Sequence, residues 1–186
     1  MTIGTPSEFA IESVIAQAYV RPSFRALGFF VIYINGYCYG VRLPDATMLA
    51  CSYDAIESRI NRQGQHTASF ACEPDAGKIA DAVRAAIWGK AIKQDTLGYT
   101  QGDLRQIVYS KHLVWAPDGD AAFDDGSVVL QFDVEDRVRI IAFKSLQSNR
   151  HDPSSLHSTW MKSEHFYGIL QQWKDAFTAD WKSRCI

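Results

Sequence analysis

The sequence has no apolar run long enough to cross a bilayer. Its longest strongly apolar stretch, Ala26 to Ile34, is far shorter than the roughly 20 residues that a transmembrane helix needs. We interpret this stretch as a buried strand. Met1 to Ala10 also lack the basic and apolar regions of a secretory signal. We therefore expect a cytoplasmic protein with no membrane partner.

The sequence also lacks a C-x-x-C pair. Its four cysteines are far apart in the chain, at Cys38, Cys51, Cys72 and Cys185. This spacing disfavours a zinc site, and in a reducing cytosol the four thiols are expected to be free. No pair of the five histidines has the H-E-x-x-H spacing that places two metal ligands on one helix face.

Several motifs of catalysis and cofactor binding are missing. There is no Gly-x-Ser-x-Gly elbow, no P-loop and no G-x-G-x-x-G. The sequence therefore does not support a serine hydrolase of the elbow type, a P-loop enzyme or a classical dinucleotide-binding protein. With 19 basic and 21 acidic residues and no basic stripe, the chain lacks the electrostatic driving force for direct nucleic-acid binding. We expect no cofactor and no bound metal.

The composition is that of an ordinary globular protein. The chain has 186 residues, of which 47% are hydrophobic and 22% charged. This length is typical of one domain with one sizeable core, and no linker divides it. We expect a single domain over residues 1–186.

Hydrophobic periodicity predicts a mixture of strands and helices. Asn35-Gly36, between two aromatic and β-branched runs, predicts a β-hairpin. Thr5-Pro6-Ser7-Glu8 has the pattern of a helix-capping box, although the apolar Phe9 to Ile15 also suits a strand. Further strands are predicted at Thr67–Ala71, Ile107–Trp115, Val128–Phe132 and Arg137–Phe143.

Three helices are predicted, with a loop between the second and the β-rich region. The first is capped by Ser52 and ends near Gly64; the second begins at Glu73-Pro74-Asp75. Ala91 to Gly102 has no periodicity and is interpreted as a loop. The last helix is capped by Ser163 and has an aromatic stripe with helical period, at Phe166, Leu170, Trp173, Phe177 and Trp181. This stripe is interpreted as core packing, with a partner surface as the alternative.

These elements predict an α+β fold. We expect a two-layer single domain, in which a mainly antiparallel sheet is covered by helices and the chain ends in a long amphipathic helix.

Acidic residues are concentrated in one short part of the chain. Between Asp118 and Asp136 there are seven acidic residues and no Lys or Arg. Three interpretations compete: a metal site, a solvated loop, or a surface for a basic partner. The run does not match a calcium loop of the EF-hand type. Such a loop needs an oxygen ligand at position 5 and Gly at position 6, but counted from Asp118 these positions are Ala122 and Phe123.

Two catalytic arrangements remain as alternatives. A triad can be drawn from Cys38, His112 and Asp118, but chance offers many such trios. A small hydrolase or metal-dependent enzyme could use the acidic loop 118–125, with Asp118, Asp120, Asp124 and His112. A bound metal or a deep polar pocket would favour that interpretation.

As a recognition surface, the acidic run has a clear physical rationale. A dense patch of one sign steers a basic partner and speeds encounter. Enzymes that cut nucleic acid commonly have basic clefts, which an acidic inhibitor can occupy. The candidate partner-binding residues are Asp118, Asp120, Asp124, Asp125, Asp133, Glu135 and Asp136.

Four stretches resemble a known family. They are "IGTPSEFAIE", "FFVIYINGYCYGVR", "EPDAGKIADA" and "YSKHLVWAPDGDAAFDDGSVVLQFD". Together they resemble bacterial immunity proteins of polymorphic toxin systems, most closely the immunity protein 42 family. The resemblance runs from about Ile3 to the "FYGILQQW" of the last helix.

The resemblance implies a cytosolic protein that binds a cognate toxin domain and blocks it, as in contact-dependent growth inhibition. It implies no catalysis by the chain itself. The family supplies no residue-by-residue motif, so the candidate partner-binding residues rest on the acidic run alone.

Overall fold

The computed structural model describes residues 1–89, 96–115, 120–145 and 150–185. Within these ranges the strands are β1 Thr2–Thr5, β2 Phe9–Ala18, β3 Ala26–Ile34, β4 Tyr37–Tyr39, β5 Thr47–Met48, β6 Ser127–Val134, β7 Arg137–Lys144 and β8 His157–Lys162. The α-helices are α1 Leu49–Asn61, α2 Ala76–Trp88, α3 Gln101–Ser110 and α4 Ser163–Arg184. Short 3₁₀ helices lie at Ser69–Cys72, Ala121–Phe123 and Pro153–Ser155.

The first sheet contains the predicted hairpin. Its order is β1-β2-β3-β4, with β5 also paired to β3, and all of these pairings are antiparallel. Asn35 and Gly36 both have positive φ, at 51° and 85°. This is the conformation that a two-residue turn needs if it is to match the twist of its strands.

The N-terminal segment is a strand, and the capping-box helix was wrong. Thr5-Pro6-Ser7-Glu8 instead forms the turn between β1 and β2, where the Glu8 amide donates to the Thr5 carbonyl at 2.8 Å. In β2, Ile11, Ser13 and Ile15 are buried. This alternation with period two is typical of a strand that has one face on the core.

The second sheet contains two of the predicted strands, Val128–Phe132 in β6 and Arg137–Phe143 in β7. Its order is β6-β7-β8, again antiparallel. The strand predicted at Ile107–Trp115 was wrong over most of its length, because α3 continues to Ser110 and buries Leu104 and Val108 four residues apart. Only its last three residues pair with β6, through the bridge between Val114 and Leu130 and two flanking backbone bonds.

Two further predictions fall in this part of the chain. The strand predicted at Thr67–Ala71 was wrong: Ser69–Cys72 form a 3₁₀ helix, and the buried Arg139 donates to the carbonyls of Ala71 and Glu73 at its end. Of the loop predicted at Ala91–Gly102, residues 91–95 lie outside the described residues, and α3 already begins at Gln101.

The predicted helices are present, with small shifts at their ends. The Asp75 carboxylate accepts from the amides of Gly77 and Lys78 and caps α2. Ser52 lies inside α1, which begins at Leu49. In α4 the residues Phe166, Leu170, Trp173 and Phe177 are fully buried, so the aromatic stripe packs in the core.

Helices cover both faces of the second sheet and one face of the first. One core joins α1 and α4 to the first sheet and to the face of β6 and β7 that contains Val129 and Ile140. The other packs α2 and α3 on the opposite face, against Leu130 and Ile141. The α+β class, the antiparallel sheets covered by helices and the long C-terminal helix are confirmed.

A buried polar network connects α1, β6 and α4. The Asp133 carboxylate, on a residue only 7% exposed, accepts from the Tyr167 hydroxyl at 2.9 Å and from Gln131 Nε2 at 3.2 Å. Gln131 Oε1 in turn accepts from Arg59 Nη1 at 2.9 Å, and Arg59 Nη2 donates to the Val114 carbonyl at 2.7 Å. Burial, together with the Asp133 carboxylate, raises the pKa of the Tyr167 hydroxyl above its ordinary value.

His66 joins this network from the loop after α1. Its amide donates to Asp133 Oδ2 at 3.2 Å, and the Asp133 amide donates to the His66 carbonyl at 2.7 Å. Because its Nδ1 faces the carbonyls of Lys111 and His112, Nδ1 holds the ring proton. Nε2 is buried and has no hydrogen-bond partner in the part of the chain that the structure describes. Burial, and then the charge of Arg59, lower the pKa of His66.

We expect Asp133→Ala to destabilise the fold by about 3 kcal/mol, because it leaves the buried Tyr167 hydroxyl and the His66 amide without their acceptor. Urea denaturation measures this change. Asp136→Ala, which removes an exposed acid of the same run, is the matched control and should change stability by about 0.5 kcal/mol or less. Equal effects of the two substitutions would contradict a structural role for Asp133.

We expect the free energy of unfolding to fall as the pH drops below about 6.5, the ordinary pKa of histidine. The unfolded chain then binds a proton at position 66 that the folded chain resists, so the loss continues until the pH reaches the lowered folded pKa. His112, whose pKa is lowered by burial and by Arg62, acts in the same direction.

The contribution of His66 is at most about 1.4 kcal/mol per pH unit, and that of the exposed His112 is smaller, because solvent screens the charges around it. His66→Asn should therefore flatten the pH dependence when stability is measured by urea denaturation at a series of pH values. His165→Asn, at an exposed position of α4, is the control. An unchanged slope in His66→Asn would show that the buried imidazole does not determine acid stability.

Candidate interaction surface

The acidic run does not form one patch in the described residues. Asp118 lies outside them, and the other six acids stand at the two ends of β6. An eight-residue strand is about 26 Å long, so Asp124 and Asp125 before β6 are far from Glu135 and Asp136 after it. The six described acids therefore lie at two positions, one at each end of β6.

Asp120 organises the end that precedes β6. Its carboxylate accepts from the hydroxyl of Thr47 at 2.6 Å, from the hydroxyl of Ser52 at 3.1 Å, and from the amide of Ala122 at 2.9 Å. The last bond caps the 3₁₀ helix Ala121–Phe123. Asp120 therefore fixes this turn to β5 and α1.

Asp124 and Asp125 follow that turn and differ in their contacts. Asp125 pairs with Lys144 Nζ at 2.9 Å and accepts from the Ser127 amide at 3.0 Å. Burial raises the pKa of the Asp125 carboxyl, but the bonds from Lys144 and Ser127 outweigh it, and the net direction is downward. Asp124 is exposed, and its carboxylate has no hydrogen-bond or ionic partner among the described residues.

The acids at the other end of β6 also have different surroundings. Asp133 is buried in the network with Tyr167, where a partner protein cannot reach its carboxylate. Glu135 and Asp136 are exposed in the turn between β6 and β7, where Glu135 has a φ of 54°. They lie beside Tyr167 at a surface depression of about 650 Å³ that Glu164 also borders.

A cavity of about 270 Å³ adjoins the turn that Asp120 organises. Asp120 and Asp124 line one side of it, and Arg84 and Trp88 of α2 line another. Trp88 is 46% exposed. Trp88 is not among the residues predicted from the sequence, although a signal was present: it directly follows Ile87 and therefore falls outside the apolar stripe of α2 at four-residue spacing.

The described residues give little support to catalytic arrangements. No group of three or more His, Cys, Asp or Glu side chains comes together there as a metal site. Burial raises the pKa of the Cys38 thiol, which is the direction opposite to that of an activated nucleophile. The Asp118 of the proposed triad lies outside the described residues.

The fold resembles that of a solved protein structure. A crystal structure of CdiI from Burkholderia dolosa AUO158 superposes with a TM-score of 0.57 at 11% sequence identity, covering 92% of this chain and 97% of that one. A comparison with curated proteins finds no match. Of the helices in the described ranges, none combines the length and apolar character that a membrane crossing needs.

A family model gives the assignment. The model of immunity protein 42 matches residues 1–176, which include both sheets and most of α4. This match extends over nearly the whole chain and agrees with the resemblance of the four sequence stretches. The chain belongs to the immunity protein 42 family.

Proposed function

We propose that this protein binds the toxin domain of a cognate contact-dependent growth inhibition system and blocks it, so that the producing cell is protected. The observation that carries the proposal is the family match over residues 1–176. The fold shared with a protein named CdiI supports it. The protein acts by binding in the cytoplasm and performs no catalysis of its own.

The toxin that we propose is a nuclease with a basic active-site cleft. The support is electrostatic: Asp124, Glu135 and Asp136 are exposed, and no cation among the described residues pairs with them. Unpaired carboxylates on a rigid surface attract a basic partner over several ångströms and speed the encounter. Asp124 extends from a turn that Asp120 fixes, so its position is set before binding.

Of the seven candidate contact residues, the exposed ones are the best suited to direct contact. Asp120 and Asp125 already accept hydrogen bonds within the chain, and Asp133 is buried. We therefore propose that Asp124, Glu135 and Asp136 contact the toxin. Asp120 and Asp125 orient the turn, and Asp133 stabilises the fold beneath Tyr167.

Co-expression with the C-terminal domain of a large secreted protein encoded directly upstream tests the proposed function. We expect a stable one-to-one complex when that domain carries the affinity tag, together with rescue of host growth. An immunity protein from an unrelated system is the control and should give neither result. If the upstream domain is not toxic to the host and does not bind this chain, the proposed pairing of toxin and immunity protein is overturned.

Charge reversal tests the contact residues separately at the two ends of β6. We expect Asp124→Lys or Asp136→Lys to slow association by about tenfold at low salt, and to reduce its salt dependence, because the basic partner is then repelled. Association rates can be measured by surface plasmon resonance at several salt concentrations.

The matched control for both variants is Glu8→Lys, which makes the same change of charge in the exposed turn between β1 and β2. It should have a smaller effect. If Asp124→Lys and Asp136→Lys both associate at the wild-type rate at low salt, neither acidic end faces the toxin.

A further inference from the structure

The cavity between α2 and the turn at Asp124 has the composition of a site for one cationic side chain. Its volume of about 270 Å³ lies just below the roughly 300–1,000 Å³ that is typical of small-molecule sites. A single inserted side chain therefore suits it better than a complete ligand.

The charges around the cavity favour a cation. Asp120 and Asp124 bring two carboxylates, and the buried Arg84, whose Nε donates to the Ser145 hydroxyl, brings one guanidinium. Among the described lining residues, the two carboxylates and one guanidinium leave one net negative charge. Asp124 has no partner among the described residues, so its carboxylate is available to a ligand.

An aromatic wall further narrows the choice of cation. Trp88 lines the cavity and is 46% exposed, so an indole surface is available to a ligand. A guanidinium group stacks on an indole and binds a carboxylate through two parallel hydrogen bonds, whereas a lysine ammonium is a more strongly hydrated point charge. Tryptophan beside a carboxylate is therefore best matched by arginine.

A buried donor in the same cavity lacks an acceptor. Trp115 is 3% exposed and lines the cavity, and its indole Nε1 has no hydrogen-bond partner among the described residues. A buried N–H without an acceptor lowers stability. A guanidinium only donates hydrogen bonds, so an inserted cation leaves this N–H unpaired, and the buried Trp115 ring serves as an apolar wall of the cavity.

We infer that this cavity receives an arginine side chain of the toxin, with its guanidinium on the Trp88 ring and against the Asp124 carboxylate. The inference rests on the proposed function and names the anchor point of that interface. Asp120 holds the turn in place, and the buried Trp115 ring lines the cavity.

The first experiment uses the isolated chain and needs no toxin. Protein with ¹⁵N-labelled tryptophan is titrated with N-acetyl-arginine amide, and the indole N–H signals are followed by NMR. We expect saturable shifts of the Trp88 and Trp115 signals, which Asp124→Asn weakens. N-acetyl-citrulline amide, a neutral analogue of the same shape, should cause no such shift. Equal shifts with both compounds, or no shift of either signal, would overturn the inference.

The second experiment uses the complex. Because Trp88 is half exposed at the end of α2, Trp88→Ala should fold normally, and we expect it and Asp124→Asn each to weaken toxin binding about tenfold or more. Trp88→Phe keeps an aromatic face and should recover part of the affinity. The effects of the two substitutions should be less than additive, since both act on one inserted side chain.

The outcomes separate this inference from the proposed function. A complex of unchanged affinity with Trp88→Ala overturns the inference and leaves the proposed function intact. Failure of the wild-type chain to bind any neighbouring toxin overturns the proposed function, whatever the NMR titration shows.

Discussion

The structure depends on satisfying one buried carboxylate. Asp133 lies between the second sheet and α4, where an unpaired charge would be strongly destabilising, and it accepts hydrogen bonds from Tyr167, Gln131 and His66. Through Gln131 the network reaches Arg59 on α1. The same contacts therefore set the positions of two helices and of the loop after α1 relative to β6.

This rigid framework determines what the two ends of β6 can present. Before the strand, Asp120 binds β5 and α1 and fixes the turn that carries Asp124. After the strand, the exposed Glu135 and Asp136 lie above the Asp133 network. A protein that inhibits by binding gains from such preorganised positions, because little conformational entropy is lost when the complex forms.

Much of the fold could be predicted from the sequence where local and tertiary preferences agree. The Asn35-Gly36 hairpin needs positive φ at two adjacent residues, and the stripe of α4 has a clear helical period. The predictions failed where the local preferences and the tertiary contacts disagree. Ile107 to Trp115 is rich in β-branched and aromatic residues, yet Thr100 caps a helix through the Asp103 amide, and the burial of Leu104 and Val108 stabilises it. At the N-terminus, β2 pairs with β1 and β3. These pairings stabilise a strand although the residues before it have a local helix-capping pattern.

The sequence by itself determined the α+β class, the main strands and helices, the concentration of acids between Asp118 and Asp136, and the resemblance to immunity proteins. These features depend on residue type and on spacing along the chain. Only the tertiary structure decided which acids face solvent. A strand separates residues that are neighbours in sequence, and burial of Asp133 depends on α1 and α4, which are distant along the chain. The cavity between Trp88 and Asp124 likewise exists only because α2 packs beside the start of β6, a long-range contact that no local pattern encodes.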